Sequence, residues 1–362
     1  MPDIVVNLGE RSYTIHARAG VLREAGSCLT AAGLEGLPLF IVTDKNVAAA
    51  LPAALDALRK VPCPRSTVVV IEPGEESKSM AGFSALMDQL AAFEDGDGVV
   101  VIALGGGVVG DLTGFVAACY KRGTPWVQVP TTLLSQVDAS VGGKTAINHP
   151  TAKNLIGAFH QPRAVLADLD VLTTLPVREL RSGLAEVIKH GVIADSAFFE
   201  RIEGSLSAAL PLDSRVLEDY VATSCVIKGA VVEADEKDTS GRRAALNYGH
   251  TFGHAIELAA HFRYAHGEAI AIGMACAGDL AVRMELLKQA DANRIEAVLE
   301  NAGLPTRATG LSGRDVMAAM QLDKKFLRGS NRFVLAREIG RVELHRDVPE
   351  GLVLEVLQKR LA

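Results

Sequence analysis

One stretch of the sequence constrains the fold more than any other. A nearly continuous apolar run at 99–104 leads directly into Gly105-Gly106-Gly107-Val108-Val109-Gly110-Asp111. Such a run is typical of a strand that is buried on both faces of a parallel sheet. The turn that follows matches G-x-G-x-x-G between a strand and a helix, where backbone N–H groups can approach a pyrophosphate. A glycine-rich turn can also serve only tight packing, so the motif alone leaves its ligand open.

Runs of β-branched residues alternate with alanine-rich helical stretches through the first half of the chain. Strands are predicted at 38–43, 66–71 and 125–129, and their nearly continuous apolar runs predict burial on both faces. An alternating pair at 4–8 and 13–17 predicts a hairpin at the edge of the sheet. Strands that alternate with helices make a parallel sheet covered by crossover helices, so this half is expected to be α/β.

The β pattern fades after residue 175, and long stretches such as 178–193 and 269–289 scan as helix. A short strand pair is predicted near the end of the chain, at 331–335 and 341–344. We therefore expect two domains, which are an α/β dinucleotide-binding domain with a parallel sheet at 1–175 and a mostly α-helical domain at 176–362.

Composition excludes several classes of protein. With 362 residues, of which 49% are hydrophobic and 22% charged, the chain can bury a large core without disulfides. Its five cysteines are scattered and include no C-x-x-C pair, which indicates reduced thiols and excludes structural zinc held by cysteine. A net charge of −6, without a long block of like charges, argues against nucleic-acid binding. With no signal-peptide pattern and no apolar stretch long enough to span a membrane, a cytoplasmic location without a membrane partner is expected.

The helical half contains potential metal ligands. His250 and His254 are four residues apart and share one helix face, and His266 follows later. Glu186 is an isolated carboxylate in a mostly apolar helix, and burying it is costly unless a cation compensates its charge. Two histidines and one glutamate are typical of catalytic rather than structural zinc. Spacing alone favours the pair His250 and His254, although an H-x-x-x-H pair is also common without a metal.

Polar residues follow the predicted strands at the edge where open α/β sheets bind ligands. Asp44 comes directly after one strand and is a candidate partner for the ribose hydroxyls of adenosine. The loop 73–78 follows the next strand, and its composition also fits an ordinary exposed turn. Any one cation near the motifs can be a surface charge. Six cations near the motifs of an acidic chain together suggest an anion-rich substrate. These cations are Arg122, Lys144, Lys153, Lys189, Lys228 and Arg243.

From about residue 40 to residue 345, the motifs in their order resemble the 3-dehydroquinate synthase family. The resemblance is carried by the glycine turn at 105–111, by 130–138, by Gly142-Gly143-Lys144-Thr145, by Lys153-Asn154, by 184–189 and by 247–254. It implies an NAD⁺-binding domain and a helical domain that binds metal and substrate. It further implies zinc as the metal, an anionic sugar phosphate as the substrate, and a homodimer. Cobalt stays an alternative to zinc, because both metals accept the same nitrogen and oxygen ligands.

The resemblance also implies roles for individual residues. The metal ligands would be Glu186, His250 and His266, with His254 nearby, which corrects the choice made from spacing. NAD⁺ would contact Asp44, Asn46, Glu75, Lys78, Gly106, Gly107, Asp111, Thr131, Thr132, Lys144, Lys153 and Thr174. The substrate would contact Arg122, Asp138, Lys144, Asn154, Lys189, Lys228, Arg243, Asn247, His254 and Lys324. Candidate catalytic residues are Lys144, His254, Glu186, Asn154 and Arg122, and Arg122 is expected to reach across the dimer interface.

The implied reaction converts 3-deoxy-D-arabino-heptulosonate 7-phosphate to 3-dehydroquinate and phosphate. It proceeds by transient oxidation at C5, phosphate elimination, reduction, ring opening and aldol closure, with no net redox change. The substrate phosphate is implied to remove the C6 proton, but a protein group stays an alternative, and Lys144 and His254 are the candidates for handling protons. Three alternatives stay open, namely a metal-dependent polyol or glycerol dehydrogenase, a sugar phosphate cyclase with another product, and a nucleotide-binding regulator without activity.

Overall fold

The computed structural model describes residues 3–206, 213–322 and 331–361. The chain divides into two compact units. The first comprises Met1–Pro176 and Leu217–Lys237, and the second comprises Val177–Val216 and Asp238–Ala362. The first unit therefore includes a segment of the chain that lies well beyond residue 175.

The first unit is built on strands that alternate with helices. Its strands are β1 (Ile4–Val6), β2 (Tyr13–Arg18), β3 (Leu39–Asp44), β4 (Ser66–Ile71), β5 (Val100–Gly105), β6 (Trp126–Pro130), β7 (Lys144–His149), β8 (Ala152–Phe159) and β9 (Ala164–Asp168). Within the described ranges, seven of them form one sheet in the order β1-β2-β9-β6-β5-β3-β4, while β7 and β8 form a separate antiparallel hairpin. The β1–β2 pair is antiparallel and the other pairs of the large sheet are parallel.

Burial explains most of the predicted strands and corrects one expectation. Every residue of β5 and β6 is buried, as the continuous apolar runs predict, and β3 is buried except for Asp44 at its end. β4 forms where it was predicted, but the expected burial on both faces is wrong, since Val70 is 47% exposed. The physical reason is position, because β4 is the last strand of the sheet and pairs with β3 alone.

The helices of the first unit connect its strands. They are α1 (Ala25–Ala31), α2 (Lys45–Ala50), α3 (Pro52–Arg59), α4 (Met80–Phe93) and α5 (Gly107–Cys119), together with most of α8 (Ser214–Ala234). Some of these helices begin at residues that favour a helix start. For example, Asp44 accepts a hydrogen bond from the N–H of Val47 at 2.9 Å, and Pro52 opens α3.

The second unit is mostly helical. Its helices are α6 (Val177–Ala194), α7 (Ser196–Ser205), α9 (His250–Ala259), α10 (His266–Arg283), α11 (Gln289–Asn301), α12 (Gly313–Leu322) and α13 (Glu350–Arg360). The late strand pair is confirmed as an antiparallel hairpin of β10 (Arg332–Glu338) and β11 (Arg341–Arg346). Across the described ranges, every helix is too short or too polar to cross a bilayer.

The long helix predicted at 269–289 has other bounds. It begins earlier, at His266, and ends at Arg283, because Glu285 adopts a left-handed backbone with φ of 57° that stops the helix. The early start matters for function, since it puts His266 at the first turn of α10 rather than in a loop.

Two glycines allow α10 to approach its neighbours closely. A Cβ on Gly273 would lie 2.1 Å from the carbonyl oxygen of Gly249, just before α9. A Cβ on Gly267 would lie 2.2 Å from the carbonyl oxygen of Ser182 in α6. Only glycine permits either approach, so these positions determine how near α10 comes to α9 and α6.

Candidate functional site

In the first unit, the parallel strands β3, β4, β5 and β6 end at one edge of the sheet. At or just after their ends lie Asp44, the loop 73–78, the glycine turn and Thr131-Thr132. Gly106 stands immediately before α5, and a Cβ added to it would lie 3.2 Å from the methyl carbon of Thr132. The turn therefore brings backbone and the start of a helix together at the edge where α/β sheets bind nucleotides.

Lys78 is the centre of a polar cluster at this edge. Its buried ammonium lies 2.7 Å from Oδ2 of Asp111 in α5 and 2.5 Å from Oδ1 of Asn154 in β8, and 3.6 Å from Oε1 of Glu75. Burial raises the pKa of Asp111 even though Lys78 acts to lower it. Four predicted residues from three separate parts of the chain are thus brought into one cluster. The amide of Asn148 in β7 extends it by donating to Glu75 at 2.7 Å.

The two threonines after β6 differ in their bonding. Thr132 caps the turn that follows, since its Oγ1 accepts from the N–H of Ser135 at 3.0 Å. Thr131 is buried, and its Oγ1 makes no hydrogen bond to any described residue. A buried hydroxyl without a partner is costly, so this atom fits a site that a polar ligand completes.

The predicted substrate residues of the first unit lie in three places. Asp138, in the turn Ser135–Ala139, accepts an ion-paired hydrogen bond from Lys228 of α8 at 2.6 Å. Lys144 begins β7 and is exposed. Arg122 is also exposed, and both it and Lys121 have left-handed backbones, with φ of 67° and 47°. Consecutive non-glycine residues of this kind store strain of about 1–3 kcal/mol each, a feature that clusters at functional sites.

The remaining predicted cofactor residues are placed less tightly. Asp44 is half-buried and caps the start of α2, and Asn46 is exposed in that helix. Lys153 is exposed on β8. Thr174 ends the turn Leu169–Thr174, where its hydroxyl donates to the carbonyl of Val171 at 3.2 Å. Burial raises the pKa of Glu75, but Lys78, Asn148 and the charge of Lys153 lower it, so Lys153 acts electrostatically on the Lys78 cluster. The hydrogen bonds described for Asp44 and Thr174 stay within their own turns.

In the second unit, three side chains from three helices converge. Glu186 of α6 is fully buried, and its Oε1 lies 3.7 Å from Nε2 of His250 and 3.6 Å from Nε2 of His266. His250 is the first residue of α9 and His266 the first of α10, so the close approach at Gly273 brings the two rings together. One ligand atom from each of the three residues lies within 4.8 Å of the others.

These separations fit a metal ion. They are too long for hydrogen bonds. Ligands at about 2.0–2.2 Å from a tetrahedral zinc lie roughly 3.3–3.6 Å from one another, close to the observed distances. A carboxylate with two imidazoles is also the ligand set of a catalytic site, which keeps a position open for substrate. The residues present therefore fit a divalent metal such as zinc or cobalt.

Local electrostatics prepare two of the three ligands for a cation. Burial raises the pKa of Glu186, but the Lys189 ammonium and the two imidazoles outweigh it and hold that pKa well below the ordinary value. Burial and Lys189 hold the pKa of His250 well below its ordinary value, so the ring is neutral. For His266 burial lowers the pKa, but the neighbouring carboxylates of Glu186 and Glu257 raise it to about 10. A metal that binds His266 therefore displaces a proton.

Two of the other predicted residues of this unit, Lys189 and His254, contact the ligands. Lys189 follows Glu186 by one helical turn, is buried, and its ammonium contacts the Glu186 carboxylate. Buried Arg243 and half-buried Asn247 lie in the turn Arg242–Asn247 just before α9. His254 is exposed, with its ring centroid 5.2 Å from that of His250. Lys324 lies outside the described residues.

Sequence reasoning missed one neighbour of the site, Glu257. It lies 3.4 Å from Nδ1 of His266 and forms a second possible ligand group with His254 and His266. Its signal was available, since His250, His254 and Glu257 occupy positions i, i+4 and i+7 of one helix face.

Two family models match the chain, described as 3-dehydroquinate synthase N-terminal over residues 68–182 and 3-dehydroquinate synthase C-terminal over residues 183–326. Together they span more than half of the sequence. The chain belongs to the 3-dehydroquinate synthase family. A relative named 3-dehydroquinate synthase, from Acidithiobacillus ferrooxidans, is 46% identical over 99% of this chain and 98% of its own length. The family predicted from the motifs is thereby confirmed.

Solved structures agree with this family assignment. A 2-deoxy-scyllo-inosose synthase, crystallised with carbaglucose-6-phosphate, NAD⁺ and Co²⁺, superposes with a TM-score of 0.89 at 26% identity, over 99% of this chain and 100% of that one. A 2-epi-5-epi-valiolone synthase from Streptomyces hygroscopicus, with NAD⁺ and Zn²⁺ bound, has a TM-score of 0.87 at 28% identity, over 98% of both chains. The predicted fold class, α/β followed by a mostly helical part, is confirmed.

Proposed function

We propose that this protein converts 3-deoxy-D-arabino-heptulosonate 7-phosphate to 3-dehydroquinate and phosphate, as a carbon–oxygen lyase that uses NAD⁺ and a divalent metal. The observation that carries the proposal is the convergence of Glu186, His250 and His266 in a chain whose family membership extends over nearly its full length. When bound, the metal would acidify the C5 hydroxyl of the substrate, and NAD⁺ would take its hydride and later return it.

In this proposal the second unit holds the metal through Glu186, His250 and His266. The buried Glu186 carboxylate supplies the negative charge, and the neutral His250 ring offers Nε2 without first losing a proton. Lys189 lies against the same carboxylate and provides a cation for the substrate. His254, exposed beside the ligands, is assigned to proton transfer rather than to the metal.

The first unit holds NAD⁺ at the carboxyl edge of its sheet. The start of α5 after Gly106 and Gly107 faces the pyrophosphate, and Thr131 contributes the hydroxyl that lacks a protein partner. The cluster of Lys78, Asp111, Glu75 and Asn154 would hold polar atoms of the cofactor and substrate through its amide, ammonium and carboxylate groups. Asp44, Asn46, Thr132, Lys144, Lys153 and Thr174 complete the proposed set.

The cations proposed to bind the anionic substrate are Arg122, Lys144, Lys189, Lys228, Arg243 and Lys324. Asp138, Asn154, Asn247 and His254 would orient its hydroxyls. The strained backbone at Arg122 supports a functional role for this exposed guanidinium, which we assign to the partner's site in a homodimer.

The proposed location of the protein is the cytoplasm. The five free cysteines of the described chain agree with this location.

Synthases of other rings share the fold, but the identity to a 3-dehydroquinate synthase is much higher than the identity to either of them. A polyol dehydrogenase is disfavoured because it has less need for the many cations in the motif loops. The choice of the heptulosonate phosphate as substrate follows from these two arguments.

The proposal predicts metal-dependent phosphate release. Metal-loaded protein with NAD⁺ and the heptulosonate phosphate should release one phosphate per dehydroquinate formed, and a chelator should stop it until metal is returned. Absorbance at the NADH band should not accumulate, because the hydride returns to the same substrate. NADH released in step with glycerol oxidation would indicate the dehydrogenase instead. Absence of phosphate release from metal-loaded protein would refute the proposal.

A further inference from the structure

Glu257 lies on the side of His266 that faces away from Glu186. The Nε2 atom of His266 is 3.6 Å from the Glu186 carboxylate, whereas its Nδ1 atom is 3.4 Å from Oε1 of Glu257. The two nitrogens of one imidazole point in different directions, so one ring can face a metal and a carboxylate at the same time. The Glu257 side chain is only 13% exposed, which limits competition from water.

His250 is held in the same way by a different group. Its Nε2 faces Glu186 at 3.7 Å, and its Nδ1 lies 3.1 Å from the carbonyl oxygen of Tyr248. A carbonyl oxygen can only accept, so His250 donates from Nδ1 and keeps Nε2 as the unprotonated atom. Glu257 offers an acceptor oxygen to Nδ1 of His266, as the Tyr248 carbonyl does to Nδ1 of His250. Carboxylates and carbonyls behind metal-binding histidines fix the tautomer and the orientation of the ring.

Glu257 could instead be a ligand, since His254, Glu257 and His266 form a second group with ligand geometry. Two observations favour the other reading. The group with Glu186 is more deeply buried, and the second group includes the exposed His254.

We propose that Glu257 is a positioning residue. It accepts a hydrogen bond from Nδ1 of His266 and thereby presents Nε2 to the metal that Glu186 and His250 also bind. This inference rests on the metal site of the proposed function. The new point is that His266, a ligand from α10, depends for its orientation on the Glu257 carboxylate of α9.

The test is direct measurement of metal affinity in Glu257→Ala and Glu257→Gln, by competition between the protein and a chromogenic zinc chelator. Loss of a partner behind a metal-binding histidine typically weakens affinity about 10- to 100-fold, and we expect Glu257→Ala to fall in this range. Glu257→Gln should be weakened less, because its amide oxygen can still accept from Nδ1. The visible absorption bands of the Co²⁺ form should shift in Glu257→Ala and return towards wild type in Glu257→Gln.

The matched control is Glu203→Ala, which removes a glutamate of the same unit that pairs with Arg294 near the surface. It should keep wild-type zinc affinity and cobalt bands. Unchanged affinity and bands in Glu257→Ala would overturn the inference. The inference would also be overturned if wild type bound two zinc ions per chain and both Glu257→Ala and His254→Ala lost one of them, because Glu257 would then be a metal ligand. If wild type itself binds no metal, the proposed function fails rather than this inference alone.

Discussion

Replacing Glu186 by glutamine should abolish both metal binding and phosphate release. A metal acting as a Lewis acid contributes several kcal/mol to the transition state, so its loss should lower turnover by about 10³- to 10⁵-fold. Zinc affinity should fall by more than the roughly 100-fold that accompanies loss of an outer partner, because Glu186 is the anionic ligand. Metal content after dialysis, zinc competition and the phosphate-release assay measure these effects.

The substitution has a second consequence for stability. Lys189 and Glu186 are both buried and in contact, and the glutamine leaves the ammonium without its counter-charge. Breaking a buried ion pair by removing one partner costs about 3–5 kcal/mol, so the melting temperature should fall as well. His250→Asn avoids this cost, and it should also lose metal and turnover. The matched control, Glu203→Gln, should retain both. Full metal content in folded Glu186→Gln and His250→Asn would contradict the assigned ligand set.

Strands buried inside the sheet were the easiest elements to predict. β3, β5 and β6 form within one or two residues of their predicted bounds, since a run of apolar β-branched residues has few other ways to be buried. The exposure of β4 depends on its place at the sheet edge, and strand order is decided by tertiary pairing. The hairpin of β7 and β8 escaped prediction because β8 is largely exposed and carries no continuous apolar run.

The metal ligands show a sharper limit of sequence reasoning. Spacing along one helix selects His250 and His254, because it registers only neighbours on that helix. The buried ligand group joins His250 and Glu186 to His266, which lies on a different helix, and the position of His266 depends on the close approach of α10 at Gly273. Resemblance to the family predicted that His250 and His266 bind the same metal. Helix periodicity cannot predict this, because the two residues lie on different helices. Glu257, although predictable from i, i+4 and i+7 spacing, has meaning only once His266 is known to lie beside it.

Replacing Lys78 by methionine should remove cofactor binding while leaving the metal site intact. The ammonium that contacts Asp111 at 2.7 Å and Asn154 at 2.5 Å is buried, and methionine keeps the length of the side chain without its charge. Truncating one partner of a buried charged hydrogen bond costs about 2–5 kcal/mol, so NAD⁺ affinity should fall by about 10²- to 10³-fold. Isothermal titration with NAD⁺ measures this, and zinc competition on the same sample should give the wild-type value.

Lys60→Met is the matched control, because Lys60 is an exposed lysine of the same unit outside the polar cluster, and its variant should bind NAD⁺ as wild type does. The comparison with Glu186→Gln carries the larger argument. If the first unit holds the dinucleotide and the second the metal, Lys78→Met should lose NAD⁺ and keep zinc, while Glu186→Gln should lose zinc and keep NAD⁺. Both should lose phosphate release, because the hydride transfer needs the cofactor and the acidified hydroxyl together. Wild-type NAD⁺ affinity in Lys78→Met would show that the polar cluster at Asp111 serves the fold alone, and the dinucleotide would then have to bind elsewhere.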